Sequence, residues 1–128
     1  MILEGICTEN RDGEEYAMQE LGFTETDWKL FRKRLPIWQE QYMEKLIEEY
    51  KALLGSDKPA SSKFWELEKR IKLDQKDTGV LAQGISRSNM RFLMMDLISE
   101  GAITKDDLDG FSEAFREQVI FYCERVNS

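Results

Sequence analysis

Apolar side chains recur along this chain at the three- and four-residue steps of an amphipathic helix, and alternating strand patterns are nearly absent. The longest series is Trp28, Phe31, Leu35, Trp38, Tyr42, Leu46, Tyr50 and Leu53, widened by Met43, Ile47 and Leu54. It predicts one helix over residues 25–54, about 45 Å long. Thr24 or Thr26 is its N-cap, Glu25 and Asp27 suit the positive end of its dipole, and Gly55 ends it. Pro36 removes the amide that would bond the Arg32 carbonyl. The series keeps its phase across Pro36, so the expectation is one kinked helix rather than two.

Upstream, residues 1–11 read as an arm or a short strand. A short helix opening at Asp12 or Gly13 carries Tyr16, Ala17 and Leu21, with Gly22 as its left-handed stop. Downstream, residues 56–62 are a turn-rich linker. Ser61 or Ser62 then caps a helix over 63–74, with Phe64, Leu67 and Ile71 as its buried side and Trp65 beside them. Residues 76–85 are loop, broken by Gly79 and Gly84. Ser86 or Ser88 opens the next helix, which runs to Glu100. Met90, Phe92, Leu93, Met94, Met95, Leu97 and Ile98 cover most of its circumference, which places it centrally. Gly101 stops it. Thr104 and Asp107 then form a capping-box pattern for a last helix striped by Leu108, Phe111, Phe115, Val119, Tyr122 and Val126, weakened or bent at Gly110. The expected fold is all-α: one domain over residues 1–128, a bundle of four to five helices with antiparallel neighbours and one long Pro-kinked member.

Charge adds a layout. The net charge is −7 over 128 residues. Residues 1–31 carry −6, residues 32–76 carry +3 and residues 77–128 carry −4. Such a chain is repelled at long range by nucleic acids and anionic membranes and attracted to basic partners. The apolar runs at 92–95 and 119–123 are far too short to span a bilayer. Cys7 and Cys123 are read as free thiols of a cytoplasmic protein.

Candidate chemistry is thin. The chain has no histidine, which removes the commonest general base and metal ligand together. Serine–histidine and cysteine–histidine nucleophiles are excluded, and two distant cysteines do not make a zinc site. Glu40, Glu44 and Glu48 share one helix face, but without the histidines of a di-iron bundle they read as solvated. No phosphate-binding glycine loop is present, and residues 84–88 lack the second glycine of a nucleophile elbow. An EF-hand register over 96–107 puts Ile98 where an oxygen ligand belongs. No catalysis, cofactor or metal is expected.

Binding features remain. Residues 96–108 (Asp-Leu-Ile-Ser-Glu-Gly-Ala-Ile-Thr-Lys-Asp-Asp-Leu) resemble the short helical SHOCT modules, and depart from them at Asp109-Gly110. The chain as a whole is similar to small acidic helical accessory proteins of bacterial mobile elements and phages. That resemblance implies a role in binding and inhibiting a host complex. A DNA-reading helix after Thr104 would set Asp106, Asp107 and Asp109 against phosphates. The main expectation is therefore a non-enzymatic protein-binding accessory or regulatory module, acting on a protein partner or by self-association. One alternative is an acidic nucleic-acid-mimicking inhibitor using Glu40, Glu44, Glu48, Asp106, Asp107 and Asp109. A second is a nucleic-acid binder through the basic 32–76 region, where Trp65 lies among lysines. Arg87 and Arg91, one turn apart, either hold an anion or snorkel around the core. Met90, Met94 and Met95 are core or an adaptable partner surface.

Overall fold

The computed structural model describes residues 23–127, the last two by backbone alone. The arm at 1–11, the short helix proposed before Gly22, and Cys7 lie outside the described residues. Four α-helices follow in order: α1 (Glu25–Leu54), α2 (Ala60–Asp74), α3 (Met90–Glu100) and α4 (Glu113–Asn127), with a 3₁₀ turn at Lys105–Leu108 before α4. The described residues form an all-helical bundle without strands.

α1 has the expected bounds and passes unbroken through Pro36. Pro36 and Arg32 are both exposed, so the missing hydrogen bond lies on the solvent side, where water can serve the carbonyl. Thr24 is the N-cap. Its hydroxyl accepts from the Asp27 amide, and the Asp27 carboxylate accepts from the Thr24 amide. That carboxylate is nonetheless buried, because it also accepts from the backbone amide (2.7 Å) and hydroxyl (2.6 Å) of Ser112. One aspartate therefore caps α1 and ties it to the entry of α4.

The core is built on the first half of α1. Phe31, Leu35 and Trp38 pack with Met90, Leu93, Met94 and Leu97 of α3, and with Phe115, Val119 and Cys123 of α4. Aromatic contacts run through it, from Trp28 to Phe31 (6.1 Å), Phe31 to Trp38 (6.4 Å), Trp38 to Phe111 (6.4 Å) and Phe111 to Phe115 (5.4 Å). Phe31, Phe115, Met94 and Leu97 are completely enclosed. The methionines at 90 and 94 are thus core. α3 is less enclosed than its composition suggests, because Phe92 is half-exposed.

Three helix boundaries differ from expectation, each for a local reason. α2 starts at Ala60 rather than Lys63, since Pro59 supplies the first accepting carbonyl, and Ser61 and Ser62 lie inside its first turn. α3 starts at Met90, because Ser86–Asn89 closes a separate turn through the Asn89 amide and Ser86 carbonyl. The last helix does not run from Thr104. The Thr104–Asp107 capping box forms, but it caps only the 3₁₀ turn. Gly110 then takes a left-handed conformation (φ 94°), which a helix cannot continue through, and α4 begins afresh at Glu113. Leu108 and Phe111 reach the core from this corner instead of from a helix.

Candidate functional site

The second half of α1 leaves the core and pairs with α2 as an antiparallel hairpin. The contact between them carries a polar network beside the buried Leu46 and the half-buried Leu53 and Leu67. The Tyr50 hydroxyl donates to Asp74 (2.6 Å), Arg70 reaches Glu49 (2.6 Å) and Asp74 (3.5 Å), and its guanidinium sits 5.5 Å over the Tyr50 ring. Burial and the Asp74 carboxylate push the Tyr50 hydroxyl up to about 12. At the foot of the hairpin the Tyr42 hydroxyl donates to Asp77 (2.6 Å), and the Gln39 amide donates to the Thr78 carbonyl (3.0 Å). Glu100, at the end of α3, accepts the backbone amides of Thr78 (2.8 Å) and Gly79 (3.0 Å). Burial raises the Glu100 carboxyl above its usual range, against the lowering effect of those two amides. Gly79 packs so closely on Tyr42 that an added Cβ would collide with the ring. The 76–85 loop is thus clasped between α1 and α3.

This polar seam decides what α2 presents to solvent. Lys63, Glu66, Leu67, Arg70 and Asp74 are its half-buried residues, at the spacing of a single helix face. No residue of α2 is buried. The expected buried side is corrected accordingly: Phe64 is 64% exposed and Ile71 42%, because Arg70 and Asp74 hold the side turned to α1. On α1, Ile47 is 50% and Leu54 47% exposed. The helical period places Met43, Ile47 and Leu54 about 80° around from the α2-facing side of α1, and Phe64 and Ile71 about 95° around from the α1-facing side of α2, in the same sense. In an antiparallel pair, equal turns in one sense carry both strips to the same side. The hairpin therefore shows one two-helix apolar face. Trp65, 62% exposed, meets Phe64 edge-on at 4.9 Å and lies on the outer side of α2.

The other sequence candidates are dispersed. Glu40, Glu44 and Glu48 form an exposed row that lines a shallow groove with Met43 and Ile47. Glu48 also pairs with Lys51 (3.2 Å). Asp106 and Asp109 are exposed, while Asp107 accepts the Thr104 amide (2.8 Å) as a cap. The carbonyls of Asp107 and Asp109 accept from Arg34, which lies on a different side of α1 from Glu40 and Glu44. Arg87 forks onto Glu25 (2.8 and 3.0 Å) over the Trp28 ring, and holds that carboxyl below its usual range. Arg91 lies over Phe92 and Tyr122. The two guanidiniums turn to different helices, and the anion held by Arg87 belongs to the chain itself. In the basic region, Lys58 pairs with Glu66 (2.7 Å) and Lys72 with Glu68 (2.9 Å).

A cleft of about 840 Å³ between the 76–85 loop and α3 has Lys76 and Asp96 as its charged lining. The Cys123 thiol is buried, and burial raises its ionisation above the usual range, the opposite of an activated nucleophile. Among the described residues, no group of histidine, cysteine or carboxylates is placed to hold a metal, and no helix is long and apolar enough to cross a membrane. Sequence reasoning missed the Asp27–Ser112 tie and the Glu100 clasp, since both join residues far apart in the chain. It placed Asp27 only in the first turn of α1, although Thr24-x-x-Asp27 has the same capping spacing as Thr104-x-x-Asp107. No protein-family model, no curated protein and no solved structure matches this chain.

Proposed function

We propose that this chain is a non-enzymatic protein-binding accessory module and that the α1–α2 hairpin is its recognition element. The observation that carries the reading is the placement of Ile47, Leu54, Phe64 and Ile71, all at least 42% exposed, on a single two-helix face. Scattered surface apolar residues need no explanation, but a contiguous patch rimmed by charge is the ordinary mark of a docking surface. Aromatic anchors such as Phe64 and Trp65 are the residue types that carry binding energy at such surfaces. The resemblance to accessory proteins of mobile elements fits the same role.

A nucleic-acid-mimicking inhibitor draws support from the exposed Glu40, Glu44 and Glu48 row and from exposed Asp106 and Asp109, while Asp107 is engaged as a cap. The basic-region reading draws less, because Lys58, Arg70 and Lys72 each have a carboxylate partner within the chain.

The test is site-specific photo-cross-linking in the expressing cells, with the reactive residue placed at Phe64, at Ile71, or at Gln83 as a control outside the hairpin. Protein adducts at 64 and 71 but not at 83 are expected. Adducts only at 83, or none at 64 and 71, would overturn the hairpin as the recognition element.

A further inference from the structure

We infer that the partner of this face is a second copy of the same chain, and that two hairpins stack as a four-helix bundle in which α1 of one copy lies over α2 of the other. The inference rests on the reading that this face docks protein, and it adds the partner's identity. The apolar strip is matched to such a stack. Met43, Ile47, Tyr50 and Leu54 step by four, three and four residues, and so do Ala60, Phe64, Leu67 and Ile71. Within those series Tyr50 and Leu67 lie on the hairpin's inner side, and the exposed members recur seven apart, Ile47 and Leu54 on α1 and Phe64 and Ile71 on α2, the heptad repeat of helices packed side by side at shallow angles.

The charges beside the strip give the second argument. The contacts Glu49–Arg70, Tyr50–Asp74 and Tyr42–Asp77 fix the register of the hairpin. In that register Glu48 is level with Lys72 and Lys51 with Glu68. Glu48 and Lys51 lie on the outer edge of α1, and Glu68 and Lys72 on the outer edge of α2. At both levels, α2 carries the sign opposite to that on α1. A two-fold axis running along the hairpin lays α1 over the second copy's α2 and brings every one of those opposite signs together. The four edge groups now pair within their own helices, Glu48 with Lys51 and Glu68 with Lys72, at the surface. Exchanging partners across the interface therefore leaves no charge unmatched.

Sedimentation velocity of the full chain from micromolar to near-millimolar concentration tests this, with circular dichroism as a check on folding. A monomer–dimer equilibrium is expected. Ile47→Asp and Ile71→Asp should each abolish it while leaving helix content unchanged. Glu48→Lys and Lys72→Glu should each weaken the dimer about tenfold through two symmetry-related contacts, and the double charge swap should restore it. Failure of the double swap to restore it, or dimerisation that survives Ile47→Asp and Ile71→Asp, overturns the stacking. A strict monomer overturns self-association. If that monomer still gives adducts to another protein at Phe64 and Ile71, the hairpin reading stands without the dimer; if it gives none, both fall.

Discussion

The two halves of α1 are one helix by backbone and two environments by side chain. Up to Trp38 its apolar stripe is enclosed by α3, α4 and the corner at Leu108–Phe111, and Phe31 has no solvent exposure at all. Beyond Leu46 the same stripe meets α2 alongside an arginine, a tyrosine and two carboxylates, leaves Tyr50 and Leu53 half-buried, and buries no residue of α2. The periodicity is equal in both halves, so amphipathic spacing alone does not bring burial. Burial requires a partner element, and past Leu46 the described chain leaves no residue of α1 buried. The first half is therefore expected to hold the fold, and the second to be available for recognition.

The sharpest way to break this comparison is a large-to-small change on each side of it. Phe31→Ala should cost about 3–5 kcal/mol in urea unfolding, the range for a fully enclosed aromatic. A loss under 1 kcal/mol would mean that the enclosed half is not the core. Asp27→Ala comes next, at about 3 kcal/mol, because the Ser112 amide and hydroxyl and the Thr24 amide all lose a charged acceptor. Thr24→Ala, which leaves the Ser112 bonds intact, should cost less; equal losses would show that the tie to α4 contributes nothing.

Gly79→Ala drives a methyl into the Tyr42 ring and should cost about 2 kcal/mol. Combining it with Tyr42→Ala should recover part of that loss, and no recovery would place the strain elsewhere. On the hairpin, Phe64→Ser should change monomer stability by less than about 0.5 kcal/mol, measured at concentrations below any association. A larger loss would mean that the face is covered within the chain.

The smallest expected effect is a pH dependence. Tyr50 ionises near 10 when unfolded and near 12 when folded, so the folded state holds its proton more tightly. Its contribution is complete below pH 10 and is lost as pH rises through 12. Thermal melts between those values should show a shallower alkaline decline for Tyr50→Phe than for the unaltered chain. Identical declines would detach that titration from the Tyr50–Asp74 bond.

Some of this was legible in the sequence and some was not, and the division follows the range of the interactions. The bounds of α1, the left-handed stop at Gly101 and the Thr104–Asp107 cap depend on residues within a few positions of each other. The α4 start was misread because Gly110 is tolerable in a helix as well as in a turn, and only the attachment of Ser112 to Asp27, 85 residues away in sequence, selects the turn. Of the candidate binding residues, the Glu40, Glu44 and Glu48 row and Trp65 are exposed. Spacing within one helix says nothing about which side a later turn docks on, so the seating of Asp107 and Asp109 beside Arg34 was not legible.

The sequence by itself determined that this chain is helical and where its longest helix lies, because helix periodicity and capping are local and are written in consecutive residues. Only the tertiary structure decided which apolar stripes become interior. Phe64 and Ile71 of α2 read as core by spacing, yet they face water because Leu67, Arg70 and Asp74 hold the side toward α1. Enclosure depends on which elements meet in space, and periodicity along one helix does not specify its neighbour.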